Sequence, residues 1–261
     1  MKLKSLKALS LSLIVIAFVV VPGISTVMAK DWKTVRIGTE GAYPPFNAID
    51  AKGQLVGFDI DISKALCEKM KVKCTFVAQD WDGIIPGLLA NKYDAIVASM
   101  TITEERRQRV DFTNKYYTTP AQFIAKKGSG LDTSPAGLKG KTIGAQKATV
   151  SANYLEDQMK GSKLKFYDTQ DQANLDLIAG RLDAVLADKL IMVDWLNKDG
   201  KDFEYVGSVL TEPKWFGEGI GIAVRKGDSD LTKMLNQAIE QIVADGTYAK
   251  INKKYFPFSI Y

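Results

Sequence analysis

Short apolar runs rich in β-branched residues alternate with segments of helical period from residue 35 onward. The runs predict strands over 35–39, 75–78, 95–98, 123–125, 142–145, 164–167, 184–187 and 220–224. The periodic segments predict helices over 59–71, 82–90, 149–159, 172–179, 190–196 and 231–244. Gly246 is placed to end the last of these, and a short helix over 248–253 follows. Strand–helix alternation of this kind implies an α/β fold with mostly parallel sheets.

The pattern upstream differs. Lys2, Lys4 and Lys7 precede a nearly unbroken apolar run over 11–21, and Val27-Met28-Ala29 supplies short residues after it. This is the layout of a secretory signal over residues 1–29, cleaved after Ala29. The apolar run is short for a membrane span of ~20 residues. No Cys lies near the cleavage site, so a freely soluble exported protein is expected rather than a lipid-anchored one.

One internal echo stands out. Residues 85–99, ending Lys92-Tyr-Asp-Ala-Ile-Val-Ala-Ser99, can be laid on 174–188, ending Arg181-Leu-Asp-Ala-Val-Leu-Ala-Asp188, with identity at five of fifteen positions. Each copy reads as helix, tight turn with Asp, buried strand and a polar residue at the strand's carboxyl end. Open α/β sheets bind ligands outside those carboxyl ends. The echo therefore predicts two similar lobes, with Ser99 and Asp188 at matching points across a cleft. Chance likeness between two αβ units is the competing explanation.

Charge and composition narrow the chemistry. Residues 30–261 hold 32 basic and 30 acidic residues, a net of +2, so nothing points to nucleic acid or a membrane surface. There is no histidine, which removes the usual general base, the His-dependent nucleophile pairs and most zinc sites. No GxGxxG follows a strand, and the lone GKT at Gly140-Lys141-Thr142 has Pro135 where a phosphate-binding loop needs its first glycine, so nucleotide binding has no support, and no cofactor or metal is expected. Cys67 and Cys74, late in one helix and early in the next strand, are expected to pair in an exported protein and staple that turn.

Four groups of residues can carry binding. Thr103-Glu-Glu-Arg106 reads as a helix start, where a cation is misplaced against the helix dipole. Arg106 makes sense if an anion docks there and meets both free N–H groups and the guanidinium. A surface pair with Glu104 explains it equally well. Arg107 has no such argument and is expected to face solvent. Asp188 ends a buried strand and needs a partner, which a ligand ammonium, Lys189 or a backbone N–H can supply. The loop Glu40-Gly-Ala-Tyr43-Pro-Pro-Phe46 and Trp81 put a carboxylate and aromatic faces at strand tips, where they can flank a cationic side chain or simply pack.

Several ordered motifs carry a resemblance over 35–261. Gly57-Phe-Asp-Ile-Asp-Ile62, Trp81-Asp-Gly-Ile-Ile-Pro86, Ser99-Met-Thr-Ile-Thr-Glu-Glu-Arg106 with Asp111-Phe-Thr113, Gly140-Lys-Thr-Ile-Gly144 and Asp245-Gly-Thr-Tyr248 are similar to the solute-binding proteins of polar amino-acid ABC transporters. The likeness is closest to the lysine/arginine/ornithine- and histidine-binding branch and its opine-binding relatives, and the Cys67–Cys74 spacing resembles the disulfide of the basic amino-acid binders. The resemblance implies a two-lobed type II periplasmic-binding-protein clamshell with a two-strand hinge. Lobe one holds 30–117 and 221–261, and lobe two holds 118–220. The implied ligand is a basic amino acid, with an opine or Gln as alternatives. The implied partner is a membrane permease of an ABC transporter, and a periplasmic monomer that catalyses nothing is expected.

The ligand's carboxylate would meet Arg106 and backbone N–H groups of Met100-Thr101 and Thr149-Val150. Its ammonium would meet Asp188 and Ser99. Tyr43 and Trp81 would flank the side chain, and Glu40 would meet its cationic end. Two departures from the family pattern stand out: Ala148-Thr149-Val150 replaces Gly-Thr-Thr, and Trp81 stands where Leu or Phe is common. Relatives of the fold include cyclohexadienyl dehydratases, which makes an exported enzyme the other reading. A sensor ectodomain is disfavoured because no membrane span follows Tyr261.

Overall fold

A computed structural model describes residues 30–261. The signal sequence expected over 1–29 lies outside the described residues.

The chain first builds β1 (Thr34–Thr39), a small three-stranded sheet of β2 (Ala42–Tyr43), β3 (Asn47–Ile49) and β4 (Leu55–Val56), then α1 (Phe58–Met70) and β5 (Lys73–Ala78). A single helical turn at Trp81–Gly83 leads into α2 (Ile84–Leu89), β6 (Ala95–Ile96), α3 (Glu104–Arg107) and β7 (Val110–Phe112). It then forms β8 (Ala121–Lys126), β9 (Thr142–Gln146), α4 (Val150–Gln158), β10 (Lys163–Tyr167), α5 (Gln170–Ile178), β11 (Ala184–Asp188), α6 (Lys189–Asn197), β12 (Phe203–Leu210) and α7 (Pro213–Phe216). It ends with β13 (Ala223–Arg225), α8 (Ser229–Ala244) and α9 (Thr247–Tyr255).

Two five-stranded sheets result, ordered β5-β1-β6-β13-β7 and β10-β9-β11-β8-β12, one in each lobe. In each, four strands share one direction, as expected, and one strand runs against them. β1 runs parallel to β5 and β6, and β9 parallel to β10 and β11, as helical crossovers require. β13 is antiparallel to its two neighbours and β8 to its own. Both of these strands open a segment that has just passed from one sheet to the other, so no βαβ crossover fixes their direction. Thr101 and Tyr117 bridge to Ile220 where those segments pass.

Local chemistry accounts for the elements. Helix α1 starts with Asp59 and Asp61, which suit the positive end of the dipole, and closes on Lys71 in the left-handed conformation. Helix α8 buries Leu231, Leu235, Ala238, Ile239 and Ile242, one stripe at helical spacing, and packs on α1. Cys67 and Cys74 are disulfide-bonded with Cα atoms 6.0 Å apart, tying the end of α1 to β5. The expected strand over 220–224 is shorter and later, because Ile220 is spent on bridges at the crossing. Strand β12 and the β2–β4 hairpins carry too few alternating buried positions to read from sequence, and β12 breaks register between Val206 and Leu210.

The echo is structural. Asp94 N donates to Arg36 O, and Asp94 Oδ2 accepts from Arg36 N at 3.0 Å. Asp183 N donates to Thr142 O, and Asp183 Oδ2 accepts from Thr142 N at 2.7 Å. Asn91 and Gly180 both take the left-handed turn position before these aspartates. A Cβ on Gly38 would fall 2.5 Å from the Tyr93 ring, and one on Gly144 would fall 2.4 Å from Leu182, so matching strands use glycine under matching turn side chains. This superposition pairs Ser99 with Asp188 and Glu40 with Gln146.

Candidate functional site

The carboxyl ends of β1, β6, β9 and β11 face one recess between the two sheets. Glu40, Tyr43, Trp81, Ser99, Thr101, Arg106, Thr149, Val150 and Asp188 all line it. Met100 does not. Its side chain is fully buried in a core cluster with Ile84, Leu88 and Phe112, because it points to the opposite face from the two polar residues beside it.

Lobe one presents donors. Around the Thr101–Ile220 bridge, Ile102 N donates to Gly219 O and Gly221 N to Met100 O. Thr101's own N–H and C=O therefore turn the other way, toward the recess. Arg106 Nη1 donates to that Thr101 carbonyl at 3.0 Å, and the guanidinium lies 5.3 Å from the Trp81 ring centroid. Burial lowers its pKa to about 10, against the pull of Glu105 and Asp188, so it is charged at neutral pH. The expected helix start is real but spent on itself: Thr103 Oγ1 accepts from Arg106 N at 3.2 Å. The donors that lobe one turns toward the recess are thus the guanidinium and the Thr101 N–H rather than the first turn of α3. Arg107 turns outward to Glu218 at 3.0 Å, with side chains 39% and 69% exposed.

Lobe two presents a helix start and a carboxylate. Thr149 caps α4, its Oγ1 accepting from Ala152 N at 3.1 Å and donating to Gln146 O at 2.7 Å. The Val150 and Ser151 N–H groups have no helical partner and border the recess. Ala148 sits at φ +56, a position glycine holds without strain, and still forms the turn. Asp188 ends β11, and its Oδ2 accepts from Tyr43 OH at 2.9 Å. Burial raises its pKa to about 6, with the Tyr43 hydrogen bond and Arg106 acting to lower it. Lys189, one candidate partner, stacks over Tyr205 instead.

Glu40 is buried, and its Oε1 accepts from Gln146 Nε2 at 2.6 Å, while Gln146 also donates to Asp168 O at 3.0 Å. Desolvation raises the Glu40 pKa to about 7, opposed by Gln146 and assisted by Asp80 and Asp171. The lobes meet at further points: Trp81 Nε1 and Arg106 Nη2 donate to Ala148 O at 3.0 and 3.3 Å, and Lys147, held by Asp168 of its own lobe at 2.6 Å, pairs across with Asp82 at 2.7 Å. The cleft is therefore closed. Trp81 makes a contact here that Leu or Phe has no atom to make.

Gln146 and Gln170 line the recess and were not singled out from sequence. Both stand at or just beyond the carboxyl end of a strand, β9 and β10, the same rule that found Ser99 and Asp188. Their neutral amides gave no charge to flag them. Among the described residues no group of His, Cys, Asp and Glu is arranged to hold a metal. The recess offers a cation and N–H groups at one side, a carboxylate opposite, and a second carboxylate beside aromatic faces. That arrangement is complementary in charge to a zwitterion with an extended side chain.

The chain is similar to several known proteins. An L-arginine-binding protein of Pseudomonas aeruginosa is 51% identical over 88% of this chain and 90% of its own length. The lysine/arginine/ornithine-binding periplasmic protein of Escherichia coli is 43% identical over 88% of this chain and 90% of its own. The structure of an ancestral arginine-binding protein bound to arginine superposes with a TM-score of 0.80 at 40% identity, covering 86% of this chain and 98% of that one. Residues 35–258 match the model of the bacterial extracellular solute-binding proteins, family 3, and the chain belongs to that family.

Proposed function

We propose that the protein binds a basic amino acid, of the arginine, lysine, ornithine or histidine class, in the periplasm and delivers it to the permease of an ABC transporter. The observation that carries this reading is that Arg106 and Asp188, on different lobes, line one recess. An α-amino acid needs that pair of opposite charges about one carbon apart. In this reading Arg106, the Thr101 N–H and the Val150 and Ser151 N–H groups take the carboxylate. Asp188 takes the ammonium together with Ser99, whose hydroxyl donates to Asp59 and so offers its oxygen lone pairs. Tyr43 and Trp81 flank the side chain, and Glu40, held by Gln146, meets its cationic end.

The segments 30–117 with 221–261, and 118–220, are then the two lobes that close on the ligand, and the closed form is what a permease reads. The protein acts as a monomer, without cofactor, and turns nothing over. Cleavage after Ala29 releases it, which N-terminal sequencing of the exported protein checks. Calorimetry of refolded, ligand-free protein against arginine, lysine, ornithine, histidine, glutamine and octopine tests the binding claim. Incubation with cyclohexadienyl acids tests the absence of turnover.

A further inference from the structure

A further buried carboxylate lies behind the cleft wall and does not itself line the recess. Asp59, in the first turn of α1, is fully buried and faces three neutral donors. Its Oδ1 accepts from Tyr116 OH at 2.7 Å. Its Oδ2 accepts from Asn47 Nδ2 at 2.9 Å and from Ser99 Oγ at 3.2 Å. Each donor belongs to a different part of the binding apparatus. Asn47 Oδ1 accepts from Gly41 N at 2.8 Å, fixing the loop that carries Glu40 and Tyr43. Ser99 sits at φ +52, an uncommon conformation for serine, and turns the chain toward Thr101. Tyr116 N donates to Ile220 O, next to the point where the chain crosses between lobes.

Asp94, the other buried aspartate of this lobe, shows what a purely architectural role looks like. It is paired with Arg36 at 2.8 Å and Arg225 at 3.1 Å, and although burial acts to raise its pKa, hydrogen bonds from those arginines hold the group down at about 2. Asp59 has no cation among the donors that meet it. A buried carboxylate without a counter-ion is a costly way to satisfy three donors unless their joint position matters.

We infer that Asp59 is a positioning residue for ligand binding: through Asn47, Ser99 and Tyr116 it sets the Glu40–Tyr43 loop, the Ser99 tip and the hinge entry as one unit. The inference rests on the amino-acid-binding reading above.

The test uses the protein without its signal sequence and L-arginine, L-lysine, L-ornithine and L-histidine as probes. Three variants are compared with wild type: Asp59→Asn, the swap Asn47→Asp with Asp59→Asn, and Tyr116→Phe. The single Asp59→Asn variant turns an amide N–H₂ toward Asn47 or Ser99 and is expected to raise Kd at least tenfold. The swap restores a donor facing an acceptor between positions 47 and 59, and the carboxylate introduced at position 47 still accepts from Gly41 N, while Ser99 loses its acceptor; it is expected to recover part of the loss, with a Kd between those of the single variant and wild type. Tyr116→Phe is expected to raise Kd severalfold through faster dissociation. A folded Asp59→Asn variant with wild-type Kd overturns the inference, as does a folded swap no better than the single variant. If both variants carrying Asp59→Asn fail to fold, Tyr116→Phe decides: a wild-type Kd and dissociation rate overturn the inference. A wild type that binds none of the four probes instead overturns the functional reading, and this inference with it.

Discussion

The two lobes build matching strand ends from the same backbone plan and then diverge at the last residue. In lobe one the echo ends on Ser99, in a left-handed turn that carries the chain on to Thr101 and Arg106. In lobe two it ends on Asp188, whose carboxylate stays at the strand tip and takes a hydrogen bond from Tyr43 across the cleft. Strands β1 and β9 diverge the same way: Glu40 directly follows one and Gln146 ends the other, and the two side chains bond to each other at 2.6 Å. Fold duplication supplies the symmetric frame. The polarity of the clamp comes from substitutions at its tips, which make one side collect donors while the other supplies a carboxylate and a helix start.

This asymmetry can be broken one tip at a time. The largest effect is expected at Arg106. Arg106→Ala should weaken ligand affinity by about 100-fold or more, roughly 3 kcal/mol for a charge-assisted, partly desolvated pair. Arg107→Ala, one residue along but turned out to Glu218, should change it less than about twofold. Equal losses in the two variants, measured by calorimetry, would undo the division of roles. Asp188→Asn should follow at about 30-fold, since it removes the ammonium's counter-charge while keeping an acceptor for Tyr43. Glu40→Gln should cost basic ligands about tenfold and leave glutamine affinity level or improved, because it affects only the side-chain end of the recess. Competition assays with arginine and glutamine read this directly.

The pH response should distinguish the free and bound forms. Burial lifts Glu40 to about 7 and Asp188 to about 6, above the ordinary carboxylate range near 4. With the lobes closed and the recess empty, the folded chain therefore holds more protons at these two groups, and at buried Asp59, raised to about 6, than the unfolded chain between about pH 4 and 7, and the stability of that form falls as pH rises through that window. A basic amino acid places positive charge against both groups and favours their ionised forms. Affinity should be full above about pH 7 and decline as pH falls through 7 and then 6, with protons released on binding. Thermal unfolding of the free protein and calorimetry in buffers of different ionisation enthalpy check the two opposite slopes. Among residues lining the recess, the smallest effect is expected at Trp81→Phe, which keeps a ring beside Arg106 but loses the hydrogen bond to Ala148 O. A loss of about 1 kcal/mol, or severalfold, should appear in the dissociation rate, because the contact exists only when the lobes meet.

Sequence alone reached the tips that end in charge or follow a strong apolar run: Arg106, Asp188, Glu40 and the echo that paired Ser99 with Asp188. It missed Gln146 and Gln170, because a neutral amide at a strand end looks like any surface residue until the opposite lobe is in place. It assigned Met100 to the site on its neighbours' account, although alternation along the chain turns that side chain into the core. The helix start at Thr103 was legible from its hydroxyl and acids, but its self-capping was not, since only coordinates show where Arg106 N and its guanidinium each go. The parallel strands followed from strand–helix alternation. The antiparallel β8 and β13 depend on where the chain passes between lobes, which is a tertiary fact with no local signal.

The most direct measurement is calorimetry of refolded, ligand-free protein titrated with arginine, lysine, ornithine, histidine and glutamine, alongside Arg106→Ala. One-to-one binding of at least one basic amino acid, lost in Arg106→Ala, is the predicted result. No binding to any of them, or an Arg106→Ala variant that binds as wild type does, would contradict the account.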